Sequence, residues 1–255
     1  MGRQNREKKK KQGVFARVRR GLCLGAAAMC LILSGCDRHE LENNAFPLAL
    51  GVETDGEQQF HMYTAYPNLQ SKDALDNALS SDLYWDGTMD DLLEGTTLMS
   101  EGSNRNVNLN HLKVLIVDRK VLDGREEKEQ LVEFFREKRD AAWNSYVLLC
   151  DGEMGNIFSG DLQLNTCLGI YLEDLVEGWT NLKSGTLIKV GDLMSQYYNG
   201  DEILLIPVVT LEENRPVVKQ FAVVENLEWT SELSMEEVFD NYTELKILTD
   251  QKNAD

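Results

Sequence analysis

Apolar and polar positions recur along the chain in two rhythms, and each predicts a different element. His111-Leu112-Lys113-Val114-Leu115-Ile116-Val117-Asp118 holds a nearly continuous β-branched run, the pattern of a central strand covered on both faces. Tyr146 to Cys150 repeats that pattern and closes at Asp151-Gly152. Near the start, Phe46–Glu53 and Gln59–Tyr66 flank Asp55-Gly56, a hairpin signal. The alternation predicts that His61 points away from the face shared by Phe60 and Met62. Ile203–Leu211 and Val217–Val224 read as paired strands around Glu213-Asn214-Arg215-Pro216. Pro207 lacks a ladder donor and so marks an edge strand or a bulge.

The second rhythm is helical. Leu131, Phe134, Phe135, Lys138 and Ala142 share one face of residues 125–142, with charges on the other. Leu168, Tyr171, Leu172, Leu175 and Val176 predict a helix over 166–179. A third helix spans 189–198 and stops at Asn199-Gly200. Ser234-Met235-Glu236-Glu237 has the spacing of a capping box. Residues 68–91 are polar, with one short helix through Ala74, Leu75, Ala78 and Leu79. Residues 101–106 read as a loop, the glycines from Gly152 to Gly160 as turns, and Thr243–Leu248 as a final strand or a tail. Strands and helices alternate without regular βαβ units, internal repeats or an inner linker. The expectation is an α+β fold, a mixed β-sheet with flanking helices. It occupies residues 46–255 as a single domain, behind a polar tether at 36–45.

Charge separates the first residues from the rest. Residues 1–35 hold nine Lys or Arg and one acid, whereas the remaining 220 hold 17 bases and 42 acids. The basic start leads into Gly21–Leu33, an uncharged apolar run shorter than the about 20 residues of a membrane span. This order of basic region, apolar run and small residues describes a secretory signal. It ends Leu33-Ser34-Gly35-Cys36, which resembles the bacterial lipobox. There a Cys thiol accepts a diacylglyceryl group and becomes the mature N-terminus, so Cys36 is the expected lipidation site. The competing readings are an ordinary signal peptide or a short uncleaved anchor. Two acyl chains anchor stably where one is marginal. Residues 1–35 are then a lipoprotein signal peptide, and the body is held to the membrane from outside. A body this acidic excludes nucleic acid as a partner, because backbone phosphates need clustered Lys and Arg. It also excludes a broad polybasic grip on lipid.

Candidate chemistry is sparse. With Cys36 capped and Cys23 and Cys30 in the signal, Cys150 and Cys167 remain. They form a disulfide outside the membrane or stand as buried thiols. Neither has the spacing of a zinc site, and no metal or cofactor is expected. His39 falls in the tether, His61 in a strand and His111 at a strand start, none with a Ser or Asp at triad spacing. The chain carries no G-x-S-x-G, HExxH, P-loop or G-x-G-x-x-G. The adjacent acids Asp90/Asp91, Glu173/Asp174 and Glu236/Glu237 read as solvated faces. Asp151 and Glu153 lack the further ligands of a calcium loop. Trp85, Trp143, Trp179 and Trp229 are scattered; Trp143 and Trp179 end helices and read as core or rim, with a sugar-binding platform as the alternative. No catalytic residue is assigned; an extracytoplasmic hydrolase would have to rest on His111.

Leu33-Ser34-Gly35-Cys36-Asp37-Arg38-His39-Glu40-Leu41, followed by Leu48-Ala49-Leu50-Gly51-Val52-Glu53, resembles the start of the Ger(x)C family, the lipoprotein C subunits of spore germinant receptors. His111-Leu112-Lys113 with its apolar run, Tyr146–Leu149 leading to Gly152-Glu153, Leu205–Val209 and Phe221–Val224 fit the same family. The resemblance covers about residues 33–240. Members are longer, with a further C-terminal domain, so the chain is similar to a shortened member. The resemblance implies a non-catalytic subunit beside polytopic membrane subunits of a germinant receptor, anchored by Cys36 on the extracytoplasmic face of the spore inner membrane. The alternative is an extracytoplasmic solute-binding lipoprotein serving a transporter.

Overall fold

The β-branched run lies inside an eight-stranded sheet, as its pattern predicts. The computed structural model describes residues 43–56, 59–67, 82–103, 105–138, 142–152, 154–159, 161–183, 187–200 and 203–238. Two compact units divide the chain, Met1–Asn43 and Asn44–Asp255, and the fold below is that of the second. The signal, Cys36, His39, the 74–79 helix and the 243–248 segment lie outside the described residues.

In chain order the strands are β1 (Asn44–Ala45), β2 (Ala49–Thr54), β3 (Phe60–Pro67), β4 (Asp82–Met89), β5 (Asn106–Val107), β6 (Val114–Asp118), β7 (Tyr146–Cys150), β8 (Ile203–Glu212), β9 (Arg215–Glu225) and β10 (Glu228–Ser234). The helices are α1 (Leu92–Ser103), α2 (Arg119–Asp123), α3 (Arg125–Glu137), α4 (Met154–Ile157), α5 (Leu168–Lys183) and α6 (Val190–Asn199). The sheet order is β10-β9-β8-β7-β6-β2-β3-β4, and β1 pairs separately with β5. The neighbours β8, β7, β6 and β2 run parallel, with antiparallel hairpins extending both sides. The fold is therefore the expected α+β mixed sheet. The lack of regular βαβ spacing in the sequence does not prevent parallel pairing, because the crossovers are unequal in length. One runs from β6 through α2 and α3 to β7, the other from β7 through α4, α5 and α6 to β8.

Strict alternation divides the core. Leu115, Val117, Val147 and Leu149 face one side with Leu131, Phe134 and Phe135 of α3 and Leu193 of α6. Val114, Ile116, Leu148 and Cys150 face the other, with Met154 of α4 and Leu168 and Leu172 of α5. Phe60 and Met62 join the first core while Tyr63 joins the second, so His61 lies on the face the alternation predicts.

Local signals act as expected at several boundaries. Gly200 ends α6 in the left-handed conformation (φ 72°). Glu213 and Asn214 turn β8 into β9 with φ of 49° and 59°. The Ser234 Oγ accepts from the Glu237 amide (3.2 Å), and the Ser234 amide donates to Glu237 Oε2 (2.8 Å), closing the capping box at the start of a helical turn. The Ser234 amide and hydroxyl, both donating to Glu237 Oε2 at 2.8 Å, lower the Glu237 carboxyl below its ordinary range.

Other expectations are corrected. Residues 82–89, inside the stretch read as polar, form β4, and the helix α1 at 92–103 takes in the first half of the 101–106 segment read as a loop. Gly152–Gly160 contains the short α4. The helix of 125–142 ends at Glu137. Pro207 lies in an interior strand, so the edge reading fails. The bulge reading holds: Lys219 of β9 is an extra residue opposite the step from Val208 to Val209. The β7–β8 ladder there is reduced to one registered pair, Leu149 with Val208, beside the missing Pro207 donor.

Candidate functional site

Two concavities sit at opposite ends of the sheet. The first opens beyond the carboxyl ends of β2 and β6, where the strand order reverses, the position at which open α/β sheets take ligands. It has a volume of about 310 Å³ and is lined by polar groups, among them Glu53, Thr54, His61, Asp118 and Lys120. Asp118 is 3% exposed. Its carboxylate caps α2 through the Lys120 amide (2.9 Å) and accepts from the Gly152 amide (3.0 Å), so both oxygens serve the backbone. Tyr63 donates to Glu53 (2.6 Å) and stacks on His61 at 4.3 Å. His61 Nε2 lies 3.1 Å from Asp86, and its Nδ1 lies 4.0 Å from Glu53. Burial, followed by the Glu53 hydrogen bond and charge, raises the Tyr63 phenol well above its ordinary range, so it stays a donor. The arrangement can hold a small polar solute. The Thr54 hydroxyl is spent on the Gln59 carbonyl (2.9 Å) and does not face His61 as a nucleophile.

The sequence candidates are dispersed. His111 ends a 3-10 turn and meets Phe46 edge to face at 5.0 Å, far along the sheet from His61. No disulfide joins Cys150 and Cys167, and both are buried thiols. Cys150 pairs with Asp118 at one end of the sheet, while Cys167 sits beside Asp82 at the other. Through the β6–β2–β3–β4 register the two levels are six residues apart, about 20 Å at ~3.3 Å per residue, beyond any disulfide. The acid pairs have structural roles: Asp91 accepts from the Leu93 amide at the start of α1 (2.8 Å), Glu173 pairs with Lys113 (3.0 Å), and Glu237 closes the capping box. Trp229 is core and carries Arg119 over its ring at 5.0 Å, whereas Trp143 is 47% exposed. Among the described residues no cluster of three His, Cys, Asp or Glu side chains could hold a metal ion. No described helix is long and apolar enough to cross a membrane.

Asp82 is a site residue that sequence reasoning missed. It opens β4 opposite Pro67. One carboxylate oxygen accepts from the Leu168 amide at the start of α5 (2.7 Å) and from the Tyr84 hydroxyl (3.3 Å); the other is buried with no hydrogen-bond partner among the described residues. Burial pushes its carboxyl up to about 6, against the pull of those two bonds. Burial and then Asp82 itself raise the Cys167 thiol.

Beside it, on the face of α1, lies the second concavity, a groove of about 650 Å³. Phe46, Leu48, Tyr66, Leu83 and Trp85 form its apolar wall, and Arg105, His111 and Lys113 contribute its ionisable side chains. Leu83 is 48% exposed. Gly102 lets the Trp85 indole lie against α1, since a Cβ there would stand 2.5 Å from Nε1. The signal that could have revealed this wall is the alternation of Leu83, Trp85, Gly87 and Met89 with Asp82, Tyr84, Asp86 and Thr88, a strand rhythm inside a polar stretch.

Residues 37–211 match the family described as spore germination protein N-terminal domain. No curated protein matches the chain. Among solved structures it is similar to the one titled "Crystal Structure of the GerBC protein", at 16% identity and a TM-score of 0.38, over 74% of this chain and 53% of that one. The chain thus spans about half the length of that structure.

Proposed function

The chain belongs to the spore germination protein N-terminal domain family, and from that premise we propose that it is a lipid-anchored, non-catalytic subunit of a germinant receptor, held at the extracytoplasmic face of the spore inner membrane by Cys36. The observation that carries this reading is the family match over residues 37–211. The Leu33-Ser34-Gly35-Cys36 sequence supports the anchor, and the dispersal of His61, His111 and the two thiols speaks for contact over turnover. Tethering raises the local concentration of the body beside polytopic membrane partners, so modest contacts suffice.

Cross-linking and affinity capture from native membranes should recover polytopic subunits with the protein. Cys36→Ala should leave the melting temperature unchanged, move the body to the soluble fraction and abolish germination. A soluble Cys36→Ala protein with full germination activity would refute the anchor. A second reading, a solute-binding lipoprotein serving a transporter, rests on the polar crevice at the strand-order reversal. It predicts a saturable rise in melting temperature with a small polar solute, lost in His61→Ala.

A further inference from the structure

We propose that the groove walled by Leu83 and Trp85 binds a single anionic phospholipid of the bilayer, headgroup phosphate at Arg105 and acyl stem along the apolar wall. This rests on the anchoring reading for its geometry. Cys36 precedes Asn44, a groove residue, by eight residues, which span at most about 28 Å when fully extended. The groove is therefore held within reach of the lipid surface, where even a weak site fills because the tether keeps lipid at high effective concentration.

Its chemistry is amphiphilic in the sense a phospholipid requires. Leu83 stands half exposed at the wall, so a large apolar side chain has open groove beside it. Tyr66, which also lines the groove, is nine-tenths buried. Among the described residues the groove lining holds Arg105, His111 and Lys113 and no Asp or Glu, in a body where acids outnumber bases 42 to 17. Lys113 is matched by Glu173 at 3.0 Å, whereas Arg105 is exposed and makes no ion pair with a described residue. Acidity elsewhere turns the body away from an anionic surface, whereas a face with Arg105, His111 and Lys113 is one that such a surface admits. The site is one pocket for one lipid and does not need the polybasic patch that the composition excludes.

The test uses the full-length chain, purified from membranes and reconstituted in phosphatidylcholine nanodiscs containing a minor share of phosphatidylglycerol. Either lipid carries brominated acyl chains, which quench tryptophan on contact. The emission lost in Trp85→Phe isolates the Trp85 signal. Brominated phosphatidylglycerol should remove roughly half of that signal, brominated phosphatidylcholine far less, and Arg105→Glu or Leu83→Glu should abolish the difference, as saturation by tethered lipid requires. Equal quenching by both lipids, or none, overturns the proposal. So does a photo-cross-linker at position 83 that captures a membrane protein in place of lipid. Mass spectrometry of the same sample reports whether Cys36 is diacylated. An acylated chain without quenching removes the groove and leaves the anchor. Quenching by added brominated vesicles on an unacylated chain removes the anchor and leaves the groove.

Discussion

Asp82 shows how much one side chain can carry. It joins β4 to the start of α5 across 86 residues and does so with a carboxyl whose burial disfavours its charge. A carboxyl raised in the folded state binds its proton more tightly there than in the unfolded chain. The stabilising effect of that proton is therefore complete below pH ~4, the unfolded value, and is lost as pH rises through about 6. Asp82→Asn keeps the acceptor for Leu168 and removes the charge. It should raise stability above pH 7 by about 1–3 kcal/mol, with the difference from the parent vanishing near pH 4. Thermal melts across pH 4–8 measure it, and a parallel shift at every pH would refute the assignment. At this scale the sequence is informative only where the partner is near. The Ser234–Glu237 box spans three residues and can be read directly. The bond from Asp82 to Leu168 joins residues that only the folded sheet brings together. Leu227 is another case: it sits at φ 56° in the β9–β10 turn while 1% exposed. Burial of its side chain, worth about 1.5–3 kcal/mol, offsets a left-handed backbone that costs about 1–2 kcal/mol, and no turn signal announces it.

Elements were readable where one rhythm dominated. The fully buried β6, apolar up to Asp118, and the one-sided α3 have unmixed patterns. β4 mixes aromatic, acidic and glycine residues because it is an edge strand with much of one face open, so its alternation is diluted by polarity. α1 has Gly95 and Gly102 inside it, which lower helix propensity, yet both positions are set by packing. A Cβ on Gly95 would meet the Met62 and Met89 side chains within 2.9 Å, as one on Gly102 would meet Trp85. Closeness between elements also separates two further glycines. At Gly51 a Cβ would press on the Phe158 and Met154 side chains (2.6 and 2.9 Å), which can turn aside; at Gly169 it would meet Leu48, including its backbone carbon and oxygen at 2.6 Å. Gly169→Ala should therefore cost more than Gly51→Ala, about 3 kcal/mol or above against about 1–2. Urea denaturation of the two variants should give midpoints in that order, and the reverse order would show that α5 slides more easily than the Phe158 ring turns.

The Asn44–Asp255 unit has a parallel centre with a hairpin on each side, a crevice of polar groups at one end and an amphiphilic groove at the other. The fold class followed from composition and rhythm, since runs covered on both faces must lie inside a sheet. The strand order did not, because alternation tells which side a residue faces and not which strand lies next to it. That order has a kinetic consequence. β8 and β9 meet through a two-residue turn, whereas Ala49 of β2 pairs with Val114 of β6 and Leu149 of β7 with Val208 of β8, separations of 65 and 59 residues. Loops of that length must close before their contacts form, so refolding should take milliseconds to seconds. Stopped-flow tryptophan fluorescence measures it, and completion within microseconds would contradict this order of assembly. Until that closure Leu115-Ile116-Val117 stays bare on both faces. The parallel centre thus sets a waiting time, during which the most adhesive part of the sequence is exposed to neighbours and proteases and its survival depends on speed more than on final stability.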